Sequence, residues 1–314
     1  MEKYGVTDPD EQWGDYSLLR PWDEMKFLAS LRKAEGTPIT ELKPDGNRAV
    51  MFCTTTDPYQ AFRGGKSREL TEGAEELVRK ALEAIRDHST LNVRILTRSP
   101  LASKHFDLFK TFGNRLMFGM SLPTLNNQLS KIYEPKAPGP SQRLKTLQEA
   151  KDAGLHVYVA MAPTYAECDE VDLRATLTAM KKLNPITIFH EPINIRAENV
   201  KRIEQHAAKL GVPLKTDVFS SGDAWRQYAL DSLRMVQRLA QEMGLIHCLH
   251  LWPDADLGSK DRFLELRKIK RAGLLLTKHQ EKRHQQEDQN YYEKTYLPWL
   301  NGWWTRISEW PGKI

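Results

Sequence analysis

Cysteine is scarce in this chain. Among 314 residues there are three, Cys53, Cys168 and Cys248, and no two are spaced as CxxC. That excludes a disulfide framework and a zinc ribbon built on clustered thiols. Long apolar runs are missing too: nothing approaches the roughly 20 consecutive apolar residues that span a bilayer. The opening "MEKYGVTDPDEQWGDYSLL" has no apolar core of the kind that leads a secretory signal. The expectation is a cytoplasmic protein with no membrane partner. No GxSxG, HExxH or P-loop occurs, and no GxGxxG follows an apolar run. These absences speak against a nucleophile-elbow hydrolase, a zinc protease, a P-loop NTPase and a dinucleotide fold.

What is present is the composition of a globular protein, 40% hydrophobic and 28% charged. The length suffices for one large α/β domain or two smaller ones. The net charge of +5 permits contact with nucleic acid without indicating it, since no clustered patch accompanies it in the body of the chain.

Residues 1–46 are polar and rich in turn signals, closed by "KPDGN". Then a rhythm begins. Short apolar runs, "RAVMFCT", "NVRILT", "RLMFGMS", "HVYVAMA" and "ITIFH", alternate with amphipathic stretches. Each run has the length and β-branched bias of a buried strand. Between them "LTEGAEELVRKALEAIRDH" carries apolar residues at helical spacing, with Thr71 as its N-cap. "SQRLKTLQEAKDAGL", "VDLRATLTAMKKLN" and "AENVKRIEQHAAKLG" repeat the pattern. Two further candidate strands, "PLKTDVFS" and "LIHCLHLW", flank a long helix over Ala224 to Gly244. Strands alternating with helices imply right-handed βαβ units and a parallel sheet. The fold class is therefore α/β, a full or partial barrel, with an open doubly wound sheet as the alternative. The domain reading is a polar segment over 1–46, a barrel core over 47–222, and a helical, Trp-rich extension over 223–314. In that extension Lys260 to Arg283 is strongly basic.

Parallel α/β folds place ligands at the carboxyl ends of their strands. Those ends here hold Thr54, Thr55, Thr56, Asp57, Tyr59 and Gln60; Thr97, Arg98 and Ser99; Ser121 and Thr124; Pro163, Thr164 and Tyr165; His190, Glu191 and Asn194. Turn chemistry explains any one of them. Five polar ends in phase are more than turns require, and Thr56, Asp57, Arg98, Ser121 and Glu191 are expected to converge at one mouth.

The stretches "TTTDPYQAF", "VRILTRSPLASKHFDLFKTF" and "MFGMSLPTLNNQLSKIYEPKAPGPSQRLKTLQEAKDAGLHVYVAMAPT" resemble the spore-photoproduct-lyase-like branch of the radical S-adenosylmethionine enzymes. The likeness runs over about Ala49 to Pro163. It implies a partial (βα)6-type barrel that binds S-adenosylmethionine across its strand ends beside a [4Fe–4S] cluster and makes a 5′-deoxyadenosyl radical. Carried over by position, Ser121 and Arg98 become polar contacts to the methionyl part. Arg143 becomes a carboxylate contact, and Asp57 meets the amino group or the substrate.

The family's CxxxCxxC loop has no counterpart in this chain. Five runs match the family's second to sixth strands, so its first strand and cluster loop are expected upstream of Met1. The resemblance implies a radical protein that abstracts hydrogen from an unknown substrate. The alternative is a cluster-free barrel acting as a binding or partner subunit, with the basic tail as a handle for nucleic acid. A third reading is an acid/base barrel enzyme using His190 and Glu191.

Overall fold

The computed structural model describes residues 21–37, 48–53, 56–62, 67–194 and 199–252, together with Thr7, Leu19, Gln286 and Gln289. Six strands form one sheet in sequence order: β1 (Ala49–Phe52), β2 (Asn92–Thr97), β3 (Leu116–Ser121), β4 (His156–Thr164), β5 (Thr187–Pro192) and β6 (Leu249–Leu251). Every neighbouring pair is parallel. The helices are α1 (Glu24–Gly36), α2 (Ser67–His88), α3 (Phe106–Lys110), α4 (Asn127–Tyr133), α5 (Pro140–Asp152), α6 (Glu170–Leu183), α7 (Asn199–Leu210) and α8 (Gly222–Glu242). This is the expected partial barrel. Among the described residues no helix is long and apolar enough to cross a membrane.

The register sorts the strand residues onto two faces. Val93 pairs with Leu116, Phe118 with Val157, and Val159 with Ile188. With Ile95, Met120 and Met161 they make the helix-facing side, and all are buried. Against them pack Leu82 and Ile85 of α2, Phe109 of α3, Leu147 of α5, Leu177 and Met180 of α6, and Leu233 and Val236 of α8, each fully buried. The other face carries Met51, Arg94, Met117, Gly119, Tyr158 and Phe189 in register. Alternation with period two thus separates an apolar core from a mixed interior.

Gly119 is required on that interior face. It lies opposite Tyr158, whose ring crosses it so that the hydroxyl donates to the Ile95 carbonyl of β2 at 3.1 Å. A Cβ on residue 119 would stand 2.4 to 2.6 Å from three ring atoms. Gly119→Ala is therefore expected to expel the ring and break the bond to β2. Overpacking costs about 1–3 kcal/mol and the lost hydrogen bond about 1 kcal/mol more. Urea unfolding should read a loss of about 2–4 kcal/mol; an unchanged midpoint would show that the ring swings aside freely.

The structure corrects three details. "PLKTDVFS" is no strand: Thr216–Phe219 is a 3₁₀ turn closed by Ser220 N–H on the Asp217 carbonyl at 3.1 Å. Pro213 offers no N–H, and the Lys215 N–H is taken by Glu167 Oε1 at 2.8 Å, so no ladder can form there. Thr71 is not a cap, because α2 starts at Ser67. Its hydroxyl oxygen instead accepts from Phe62 N–H at 3.1 Å, tying the Asp57–Pro58 loop to α2. Within 1–46 lies α1, capped by Asp23 on Lys26 N–H at 3.1 Å, where only turns are expected. The 222/223 boundary falls at the start of α8, whose Trp225, Leu233 and Val236 are buried in the core. The tail features beyond Trp252, including Lys260 to Arg283, lie outside the described residues.

Candidate functional site

Because all strands run the same way, their carboxyl ends meet at one edge of the sheet. β1 ends at Phe52, and the next residue, Cys53, has a φ of 153° that breaks the extended backbone. The loop that follows returns Asp57 toward β2. Asp57 Oδ1 accepts from Tyr59 N–H at 2.9 Å and from the Thr97 hydroxyl at 2.5 Å; Oδ2 accepts from Arg98 N–H at 2.6 Å. An Asx-type turn and a clamp on the end of β2 thus share one carboxylate. Thr97 Oγ1 in turn accepts from Ser99 N–H at 2.9 Å. Ser99 caps the 3₁₀ helix Pro100–His105 through Leu101 N–H at 3.3 Å.

The Arg98 side chain leaves this clamp and donates from Nε to Glu134 Oε1. The other oxygen of Glu134 pairs with Arg143 Nη2 at 2.6 Å. Arg143 is entirely enclosed, its side chain 1% exposed. Its Nε donates to the Pro138 carbonyl at 2.7 Å and its Nη1 to the Ser121 carbonyl at 3.1 Å. Ser121 is itself buried, and its hydroxyl donates to the Ala162 carbonyl at 2.8 Å. The four residues carried over from the resemblance, Asp57, Arg98, Ser121 and Arg143, therefore form one bonded chain, with Glu134 as the link between the two arginines.

The electrostatics follow from burial. Taking Glu134 out of water would by itself raise its carboxyl. The charges of Arg98 and Arg143 and their hydrogen bonds outweigh that and hold it below the ordinary glutamate range. With Asp57 as the second anion the network is formally neutral, and its outermost cation is Arg98, whose side chain is 35% exposed. None of the described residues takes a hydrogen bond from its two terminal nitrogens. Nearby stands Tyr165, fully buried, its hydroxyl without a partner among the described residues. Its ring stacks on Tyr133 at 3.9 Å and 6°. Burial and then the charge of Glu134 push the Tyr165 phenol well above its usual range, so it stays protonated and able to donate.

Other nominated residues lie elsewhere. Tyr59 is buried in the core, its hydroxyl 2.9 Å from His105 Nδ1. Thr124 donates to Asp172 Oδ1 at 2.6 Å. Thr164 and Tyr165 are buried, Thr56 is exposed, and Gln60, Glu191 and Asn194 are partly exposed at the strand ends. Thr54 and Thr55 lie outside the described residues. His190 is fully buried on the helix-facing side, in register with Met161 and Leu251. It faces away from Glu191, which removes the support for an acid/base pair.

The thiols do not fit an iron–sulfur cluster. Cluster ligands are thiolates gathered around the metal. Cys168 and Cys248 are buried, Cys53 is half-buried, and burial pushes all three thiols up, away from ionisation. Among the described residues no group of three His, Cys, Asp or Glu side chains could hold a metal ion.

The sequence reading missed Glu134 as a functional residue, although it stands in the quoted "YEPKAPGPSQRL". Its partner Arg143 is nine residues on, across a proline-rich loop that gives no periodic signal. The Tyr133–Tyr165 stack had no signal in sequence at all.

The described residues thus form a parallel βα barrel with a polar network at the carboxyl edge of its sheet. Similar solved structures include those of spore photoproduct lyase. The structure complexed with dinucleoside spore photoproduct matches at 15% identity and a TM-score of 0.52 over 73% of this chain and 66% of that one. A mutant with bound AdoMet and dinucleoside spore photoproduct matches at 16% identity and a TM-score of 0.50 over the same shares. At such identities the likeness shows the fold. In sequence the chain is 31% identical over 192 residues to the uncharacterised protein ORF301 of Acidianus two-tailed virus, over 60% of each chain. The chain thus spans somewhat less than two thirds of the length of these relatives. No family profile matches it.

Proposed function

We propose that the chain binds S-adenosylmethionine at the carboxyl edge of its barrel, as the cofactor-holding body of a lyase-like radical protein with a nucleic-acid-like substrate. The observation that carries this reading is Arg98, pinned through Nε and offering its terminal nitrogens at the edge. A guanidinium fork suits a carboxylate bidentately, and the methionyl part of the cofactor carries one. Asp57 fixes the backbone from which Arg98 projects. Ser121, with Arg143 on its carbonyl, shapes the neighbouring strand end. The dinucleoside in the lyase structures supports the substrate class. When bound beside a [4Fe–4S] cluster, S-adenosylmethionine supplies a 5′-deoxyadenosyl radical. The described residues offer that cluster no ligands, and no reaction step is assigned to them.

Binding by the chain alone is expected to be weak. A charge-assisted hydrogen bond contributes about 1.5–3 kcal/mol, and association costs several kcal/mol before any surplus appears. Within that weak binding, Arg98→Ala is expected to lower affinity for S-adenosylmethionine by about tenfold or more, since 1.4 kcal/mol is a factor of ten. Ligand-observed NMR or calorimetry reads this directly. Equal binding by the variant would overturn the assignment.

A second reading, a cluster-free binding subunit, is favoured by the buried, protonated thiols. Reconstitution with iron and sulfide separates the two. 5′-Deoxyadenosine formed after reduction supports the radical reading; binding without it supports the subunit.

A further inference from the structure

We propose that Glu134 is the positioning residue of this site, and that Arg143 acts only through Glu134 and never touches a ligand. The ligand part of this inference rests on the S-adenosylmethionine reading; the pinning of Arg98 does not.

The Arg143 side chain is enclosed, 1% exposed, and each of its three nitrogens already faces a partner. Those partners are Pro138, Ser121 and Glu134, and a ligand could reach it only by displacing them. What Arg143 does is hold the Glu134 carboxylate at a fixed place and orientation. The loop between them is closed twice more, by Ala137 N–H on the Glu134 carbonyl at 3.0 Å and by Arg143 N–H on the Gly139 carbonyl at 3.2 Å. The second Glu134 oxygen then takes Arg98 Nε. A guanidinium bonded along its Nε edge keeps its opposite edge free, so the pairing decides which edge Arg98 shows at the mouth. A neutral side chain could not do this. Glutamine has one acceptor for two cations, and its amide would present N–H groups to an arginine that only donates. The pair of arginines would then repel, and Arg98, being the partly exposed one, would move.

The test uses nitrogen-15 arginine labelling of the full chain and, in parallel, titration with S-adenosylmethionine. In the wild type, Arg98 Nε–H should give a shifted signal in slow exchange. Glu134→Gln should abolish that signal while the Arg143 Nε–H signal, bonded to Pro138, survives. Affinity should fall about tenfold. Arg98→Ala added to Glu134→Gln should then cost little more, because both remove one contact. Should Glu134→Gln fail to fold, Glu134→Leu with Arg143→Met removes both buried charges together, and with them the acceptor that Arg98 Nε uses. There too the Arg98 signal should vanish.

An Arg98 signal unchanged in either variant overturns the proposal, as do fully additive losses on combining the variants. A wild type that binds no S-adenosylmethionine, yet loses its Arg98 signal on Glu134→Gln, removes the ligand and leaves the positioning role standing.

Discussion

Urea unfolding at pH 4.5 is expected to show the protein about 2.5–3 kcal/mol less stable than at pH 7, through His190 alone. The imidazole is fully buried on the helix side of β5. Burial pushes it down to about 3. The Thr164 hydroxyl donates to the Met161 carbonyl at 2.8 Å, so its oxygen is left to accept; it lies 3.0 Å from His190 Nδ1, which therefore carries the proton. Nε2 faces only Ser232 Oγ at 3.5 Å. No carboxylate stands ready to receive an imidazolium.

The sign follows from proton counting. An unfolded histidine titrates near ~6.5, and the folded one near 3. Between those values the unfolded chain holds a proton that the folded chain lacks, so stability falls as pH falls. Two units below 6.5, at about 1.36 kcal/mol each, give the stated loss. His250, pushed by burial to about 4, adds to it in the same direction. His190→Leu should flatten the dependence between pH 6.5 and 4.5. A wild type no steeper than that variant would mean that water or a carboxylate reaches the ring.

How far the sequence foretold this structure depended on whether the signal was local. β2 to β5 follow their apolar runs within a residue or two, because buried parallel strands are nearly continuous hydrophobic segments. "PLKTDVFS" is not a strand because Pro213 has no N–H to give a ladder and the Lys215 N–H goes to Glu167. α1 buries only Leu31, too little apolar surface to stand out in a polar segment. The rule that ligands gather at carboxyl ends led to Asp57, Arg98 and Ser121, and the parallel sheet puts all three at one edge. It could not reveal that Tyr59 turns inward to His105, or that His190 points to the opposite face, since one residue of register decides the side. Glu134 was invisible for a different reason. Its importance arises from two contacts across loops, with Arg98 36 residues away and Arg143 beyond the prolines.

Removal of the Glu134 carboxylate is the single change expected to cost most. Glu134→Ala should destabilise the fold by about 3–5 kcal/mol, the range for breaking a buried ion pair from one side. The reason lies with the partner left behind. Arg143, its side chain 1% exposed, would keep its bonds to Pro138 and Ser121 but lose the one anion paired with it among the described residues. A guanidinium stays protonated, so the site cannot escape by neutralising. Arg98, 35% exposed, can turn its charge into water and adds little to the loss. The same asymmetry ranks the variants. Arg98→Ala leaves Glu134 still paired with Arg143 and should cost about 1 kcal/mol or less. Glu134→Leu with Arg143→Met removes both buried charges and should fall well short of the single substitution. Acid should reproduce the loss in the wild type. The folded Glu134 carboxyl is held below the ordinary range by the two arginines, so its contribution is complete above about pH 5 and fades only as pH drops through the lower, folded value. Because the His190 loss runs on to about pH 3, the two losses overlap below the ordinary glutamate range, and the steeper combined descent there should become shallower in Glu134→Ala. A Glu134→Ala protein within about 1 kcal/mol of wild type would mean that Arg143 finds another anion or water, and that the buried link is not what holds this edge together.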